Sequence, residues 1–342
     1  MINNDLKHYD LILQHIKNVA ASTNVPLVDT IMKELGIGRS SAYKRIEGSY
    51  RFSLEEIIHL AIFYRISLDQ FLSNRFLPYP FQADALIKQP QKFEDYLHNI
   101  SKYMHRIKAD KEVKVWYLAN EIPLFHFIPF LPVLYFKLFM WNKTNWRSIP
   151  CSDRFALSDF ETANPVIDAA RELANIYYGF NDVQIWNTRM FDTTFDQIRY
   201  MTNSFLFESK KDALVLIEEM SKLLQYLTEI TESGSKKYHD GLGMKSSFSQ
   251  IYINEVVSSP ELIFTKNKSG HFLFLNYDTP NFISTSDARF GAHTEQWLES
   301  ILKLSTPISR ENTKERNHVL HTMKKKFDQS KQEVLGLLDY LY

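Results

Sequence analysis

Apolar and polar positions alternate at helical spacing through the first seventy residues, in five short runs. Leu6, Tyr9, Leu13, Ile16 and Ala20 share one face of a segment from Asp5 to Ala20. Leu27, Ile31 and Leu35 do the same behind Asn24, a side chain suited to capping a helix. Pro26 falls in that helix's first turn, where a missing N–H costs little. The pattern breaks at Gly36-Ile37-Gly38, and glycine there allows the left-handed backbone of a sharp corner. Arg39 or Ser40 opens a third helix that stops at Gly48. Ser53 and Glu56 form a capping box ahead of Leu54, Ile57, Ile58, Leu60 and Ala61; Ser67 and Gln70 repeat the signature ahead of Leu68, Phe71 and Leu72. Residues 1–75 thus predict a unit of five short helices.

Pro78, Pro80 and Pro90 mark residues 76–90 as a linker. Beyond it Phe93, Leu97, Ile100, Met104 and Ile107 recur at spacings of four and three, with Tyr96 and Tyr103 beside them. That narrow stripe fits either a dimer seam or a core helix. Val113, Val115 and Tyr117 alternate as a strand would, and Val183 to Arg189 is short and mixed. Leu124–Trp146, Asn164–Tyr178, Phe191–Phe207 and Lys211–Thr231 read as helices, so 91–240 is expected to be an all-α region. Glu232–Gly243, polar and glycine-bearing, reads as a loop or boundary. After it Ile251–Val257, Leu262–Thr265 and His271–Tyr277 predict strands, the last two joined by a hairpin loop at Lys266–Gly270. Thr294–Leu304 and Lys314–Leu341 return to helix, which makes 241–342 a small α+β region with an antiparallel sheet.

The composition narrows the function classes. With 342 residues and 44% hydrophobic positions the chain can bury a large core. Lys plus Arg balances Asp plus Glu at 40 each, so nucleic-acid contact would need a local basic patch. A single cysteine, Cys151, excludes an internal disulfide framework and fits a reducing cytosol. Ile122–Trp141 is the most lipid-like run, but three prolines, His126 and Lys137 argue against a lone spanning helix. No membrane partner is expected, and the location is expected to be cytoplasmic.

The segment Gly36–Gly48, GIGRSSAYKRIEG, followed by SLEEIIHLAIFYRISLDQFL, resembles the lambda-repressor-like (Cro-type, XRE) helix-turn-helix domains of bacterial regulators. The resemblance covers about residues 5 to 73. It implies a DNA-binding transcriptional regulator whose second paired helix enters the major groove with its N-terminal residues at base edges. Carried onto this sequence, Ala42 and Ile46 face the core. Arg39 would contact guanine, and Ser40, Ser41 and Tyr43 would read edges or phosphates. Lys44, Arg45 and Arg51 would set register on phosphates. With Glu47 included, Arg39–Arg51 is a patch of net charge +3 in a neutral chain. The other reading keeps the helix-turn-helix as a protein-interaction scaffold.

Catalytic patterns are weak. Gly243-Met-Lys-Ser-Ser lacks the glycine before lysine that a phosphate loop needs. His318 and His321 lack a third ligand at a recognisable spacing, and Lys324–Lys326 reads as a solvated helix face. The aromatic run Trp116–Trp146 suits a core as well as a ligand pocket. The sequence therefore predicts a mainly α, non-enzymatic DNA regulator with no cofactor or metal. Its partners would be double-stranded DNA and a second copy of itself, with an unidentified small-molecule or peptide effector left open.

Overall fold

The computed structural model describes residues 5–21, 25–64, 66, 68–71, 80–83, 88–108, 113–160, 164–239, 244–268 and 270–342. The chain divides into two compact units, Met1–Pro80 and Phe81–Tyr342.

In the first unit four α-helices, α1 (Asp5–Ala21), α2 (Leu27–Leu35), α3 (Arg39–Ile46) and α4 (Leu54–Tyr64), precede a single 3₁₀ turn at Leu68–Phe71. The expected fifth helix is thus this 3₁₀ turn. The amphipathic spacing read from the sequence is the packing: Leu13, Ile16, Ile31, Ala42, Phe52, Leu60 and Ala61 close one buried cluster. Gly36 ends α2 at φ 65°, a conformation that a side chain would strain. The Ser53–Glu56 capping box forms, with Ser53 N donating to Glu56 Oε2 at 2.9 Å and Glu56 N donating to Ser53 Oγ at 3.2 Å. Asn24 and Ser67 lie outside the described residues, as do positions 76–79 and 84–87 of the expected linker and Gly243. The residue preceding α2 is Pro26, which offers no side-chain cap.

The second unit is organised by a sheet that runs across the boundary expected at residue 240. Helix α5 (Phe93–Lys108) leads to β1 (Lys114–Leu118), then α6 (Leu124–Phe127), α7 (Leu131–Trp141) and α8 (Asn164–Tyr177). Next come β2 (Asp182–Trp186), α9 (Asp192–Asn203), α10 (Lys210–Ser233), β3 (Ser235–His239), β4 (Met244–Ile253), β5 (Leu262–Asn267), β6 (Gly270–Asp278) and β7 (Asn281–Thr285). Helix α11 (Ala288–Lys303), a two-residue β8 (Thr306–Pro307) and α12 (Thr313–Leu341) end the chain. Among the described residues the strands form one eight-stranded sheet in the order β3-β4-β2-β1-β5-β6-β7, with β8 on β4.

The β1–β2 and β2–β4 pairs are parallel, and the rest are antiparallel. This corrects the expectation of an all-α middle and a small antiparallel sheet confined to 241–342. β1 and β2 come from the supposed helical region and form the centre of the sheet, and β3 occupies the stretch read as a loop. The mainly helical character of the chain stands.

Successive residues of a strand face opposite sides, and both sides here are covered. Trp116, Leu118, Ile185, Leu262, Phe264 and Leu273 pack beneath α11. Tyr117, Trp186, Ile251 and Ile253 join the large core built by α5 through α10 and α12. The stripe on α5 is spent there: Leu97, Met104 and Ile107 are buried against this core, which is the intramolecular reading and not the dimer seam. The lipid-like run resolves into α6 and α7, with Val133–Trp141 wholly buried. No helix among the described residues is long and apolar enough to cross a membrane.

Candidate nucleic-acid interface

Helix α3 begins directly after a three-residue corner. Its first internal bond, from Ala42 N to Gly38 O at 3.0 Å, leaves the amides of Arg39, Ser40 and Ser41 without helical acceptors. Helix starts of this kind favour anions. Over eight residues the helix divides sharply. Ala42 is fully buried and Ile46 is partly buried, whereas Arg39, Ser40, Ser41, Tyr43 and Lys44 are all exposed. The outward arc therefore carries two cations, two hydroxyl donors and a tyrosine ring. The Arg39 guanidinium carbon lies 6.0 Å from the ring centre of Tyr43. Glu47, also exposed, adds one acid to this arc.

Arg45 differs from the other candidates. Its Nε and Nη2 donate to the two carboxylate oxygens of Glu56 at 3.1 and 2.8 Å, and its guanidinium lies 4.7 Å from the ring centre of Tyr50. Burial works against ionisation of Glu56. The hydrogen bonds from Arg45 and from the Ser53 amide outweigh it and hold the carboxyl below its usual range. One carboxylate thus caps α4 and fixes α3 at the same time. Arg51 is exposed just beyond α3, its guanidinium 5.0 Å from the ring of Tyr9. Tyr9 in turn accepts from Phe52 N at 2.9 Å, which anchors this segment to α1.

Comparison with protein-family models, curated proteins and solved structures finds no match.

The sequence reading missed two features. One is the Arg45–Glu56 clamp, which joins α3 to the first turn of α4 across eleven residues of sequence, a pairing that helical period does not announce. The other is a row of exposed apolar side chains on α4, Leu54, Ile58 and Ile62, at 66%, 42% and 72% exposure. They recur every four residues, on the arc beside the buried Ile57, Leu60 and Ala61. In the second unit His318 and His321 are exposed on α12, Cys151 is an exposed free thiol, and Lys326 donates to Thr188 Oγ1 at 2.7 Å.

Proposed function

We propose that the protein is a sequence-specific DNA-binding transcriptional regulator that acts as a homodimer and reads the major groove with α3. The observation that carries this reading is the division of α3. A helix of eight residues, started by a glycine corner and clamped from behind, turns basic and hydroxyl side chains outward with no large aliphatic group among them. In this reading Arg39 makes a bidentate contact to a guanine edge, with Ser40, Ser41 and Tyr43 at edges or phosphates. Lys44 and Arg51 supply phosphate contacts that fix register, and Arg45 acts through the clamp, as a positioning residue. So few phosphate contacts give weak binding at physiological salt. Pairing two heads on half-sites about one helical turn apart makes up the affinity.

The second reading is a protein-interaction scaffold, and the exposed Leu54, Ile58 and Ile62 row favours it. Selection from random duplex pools at two salt concentrations separates the two. A regulator enriches a roughly palindromic site, binds it with steep salt dependence, and loses it in Arg39→Ala and Lys44→Ala. A scaffold enriches nothing and is indifferent to both substitutions.

A further inference from the structure

Between α5 and the sheet of the second unit lies a cavity of about 150 Å³. Tyr96, Tyr103, Phe125, Tyr177 and Phe274 supply most of its aromatic wall, with Met104 and Ile107 from the inner face of α5. A mainly apolar hole of this size is large enough for a benzene-sized molecule. Lys88 and Asn99 at its edge are exposed, so the cavity is reachable from solvent.

One wall residue does not suit a plain core. Asn281 lines the cavity and is 2% exposed. Its Oδ1 accepts from Trp146 Nε1 at 3.1 Å, while its Nδ2 has no partner among the described residues. An indole N–H only donates, so this bond sets the orientation of the amide and keeps the NH₂ edge turned away from Trp146. A buried donor without an acceptor is costly, and folded proteins keep few of them. Nearby hydroxyls are satisfied: Tyr96 OH donates to Pro280 O at 3.3 Å, and Tyr117 OH donates to Glu261.

We propose that this cavity binds a small, uncharged, mainly aromatic molecule carrying one oxygen acceptor, which takes a hydrogen bond from Asn281 Nδ2. The volume sets the size, the ring-lined wall sets the apolar body, and the orphan amide sets the single acceptor. An anionic ligand is disfavoured, because the wall is apolar and the carboxyl groups of Glu121 and Glu261 already act on Tyr96 and Tyr117. The proposal is independent of DNA reading by the first unit.

The test uses the full chain and two probes of matched outline: acetophenone, and cumene, in which a methyl group stands where acetophenone has its oxygen. The readouts are the Met104 methyl resonance and the side-chain amide protons of Asn281. Both probes are expected to shift the Met104 methyl, and only acetophenone to move an Asn281 amide proton downfield. Ile100→Trp, which fills the cavity from α5, is expected to abolish binding of both. Absence of any Met104 shift up to the solubility of the probes overturns the site, as does undiminished binding in folded Ile100→Trp. Identical Asn281 amide positions with the two probes overturn the acceptor assignment, and the donor is then met by water.

Discussion

Lys236→Met removes an ammonium group that water does not reach and leaves its partner behind. Lys236 on β3 extends across β4 to Asp182 on β2, with Nζ 2.5 Å from Oδ2 and side-chain exposures of 0% and 1%. Ser249 Oγ donates to Asp182 Oδ1 at 2.6 Å, and Tyr177 OH and Gln184 Nε2 donate to Oδ2 at 3.0 and 3.1 Å. The lysine also lies 3.7 Å from the ring centre of Tyr177. Burial pulls the ammonium below the usual lysine range, against the upward effect of Asp182.

Breaking such a pair from one side costs about 3–5 kcal/mol, because the remaining charge stays buried. All five tryptophans lie beyond residue 80, so their fluorescence reports on the second unit alone. With a urea slope of about 3 kcal/mol/M, the fluorescence midpoint should fall by about 1–1.7 M. Asp182→Asn combined with Lys236→Met removes both charges and should recover most of that loss. A single substitution within about 1 kcal/mol of the parent, or a double variant no better than Lys236→Met, would refute the buried ion pair.

Three further outcomes are expected. Lys44→Ala should weaken binding to a selected duplex across sequences and reduce the log–log salt slope by about one; Arg39→Ala should instead relax discrimination at one base position, and identical behaviour of the two would remove the assigned roles. Arg45→Met should destabilise the first unit by about 1–3 kcal/mol through loss of the two-bond clamp on Glu56, read as lost backbone circular dichroism at a lower urea concentration than in the parent.

The third concerns pH. Burial, then the Glu121 charge, pushes Glu261 up to about 7, so folding favours its neutral form; this contribution is full below the unfolded value and fades as pH rises toward 7. Burial holds His126 down to about 4, so its contribution is full above about 6.5 and fades as pH falls toward 4. The two slopes oppose one another at pH 5–6. Glu261→Gln should therefore be stabilised by raising pH there and His126→Gln by lowering it, measured as urea midpoints; parallel profiles would contradict the assignment.

What the sequence made legible follows from where polar groups sit. In the first unit the inward positions are apolar and the caps are local, so Gly36, Ser53–Glu56 and the spacing of Leu13 and Ile16 announce the helices. In the second unit the inward face of β2 is Asp182, Gln184 and Trp186, that of β3 includes Lys236, and that of β4 includes Ser247 and Ser249. Alternation of hydrophobicity cannot reveal a strand whose core side is a hydrogen-bonded polar network. β2 therefore read as mixed and β3 as a loop, and without them the sheet lost a central strand and one edge. At the candidate interface the exposed face of α3 was legible from period alone. Arg45 was not, because its partner is on another helix, eleven residues away.

The strand order has a consequence for synthesis. β1 is flanked by β2 and β5, and β2 by β1 and β4, so the strand at residues 114–118 waits for residues 262–267 before its second edge closes. Phe327, Val334 and Leu338 of α12 complete the same core that α7 through α10 begin. A growing chain leaving the ribosome thus carries a broad aromatic surface uncovered until residues 313–341 have been added, a long interval for a nascent chain to be guarded by chaperones. A premature stop near residue 240 would yield an aggregating fragment where the helical pattern promises a smaller domain.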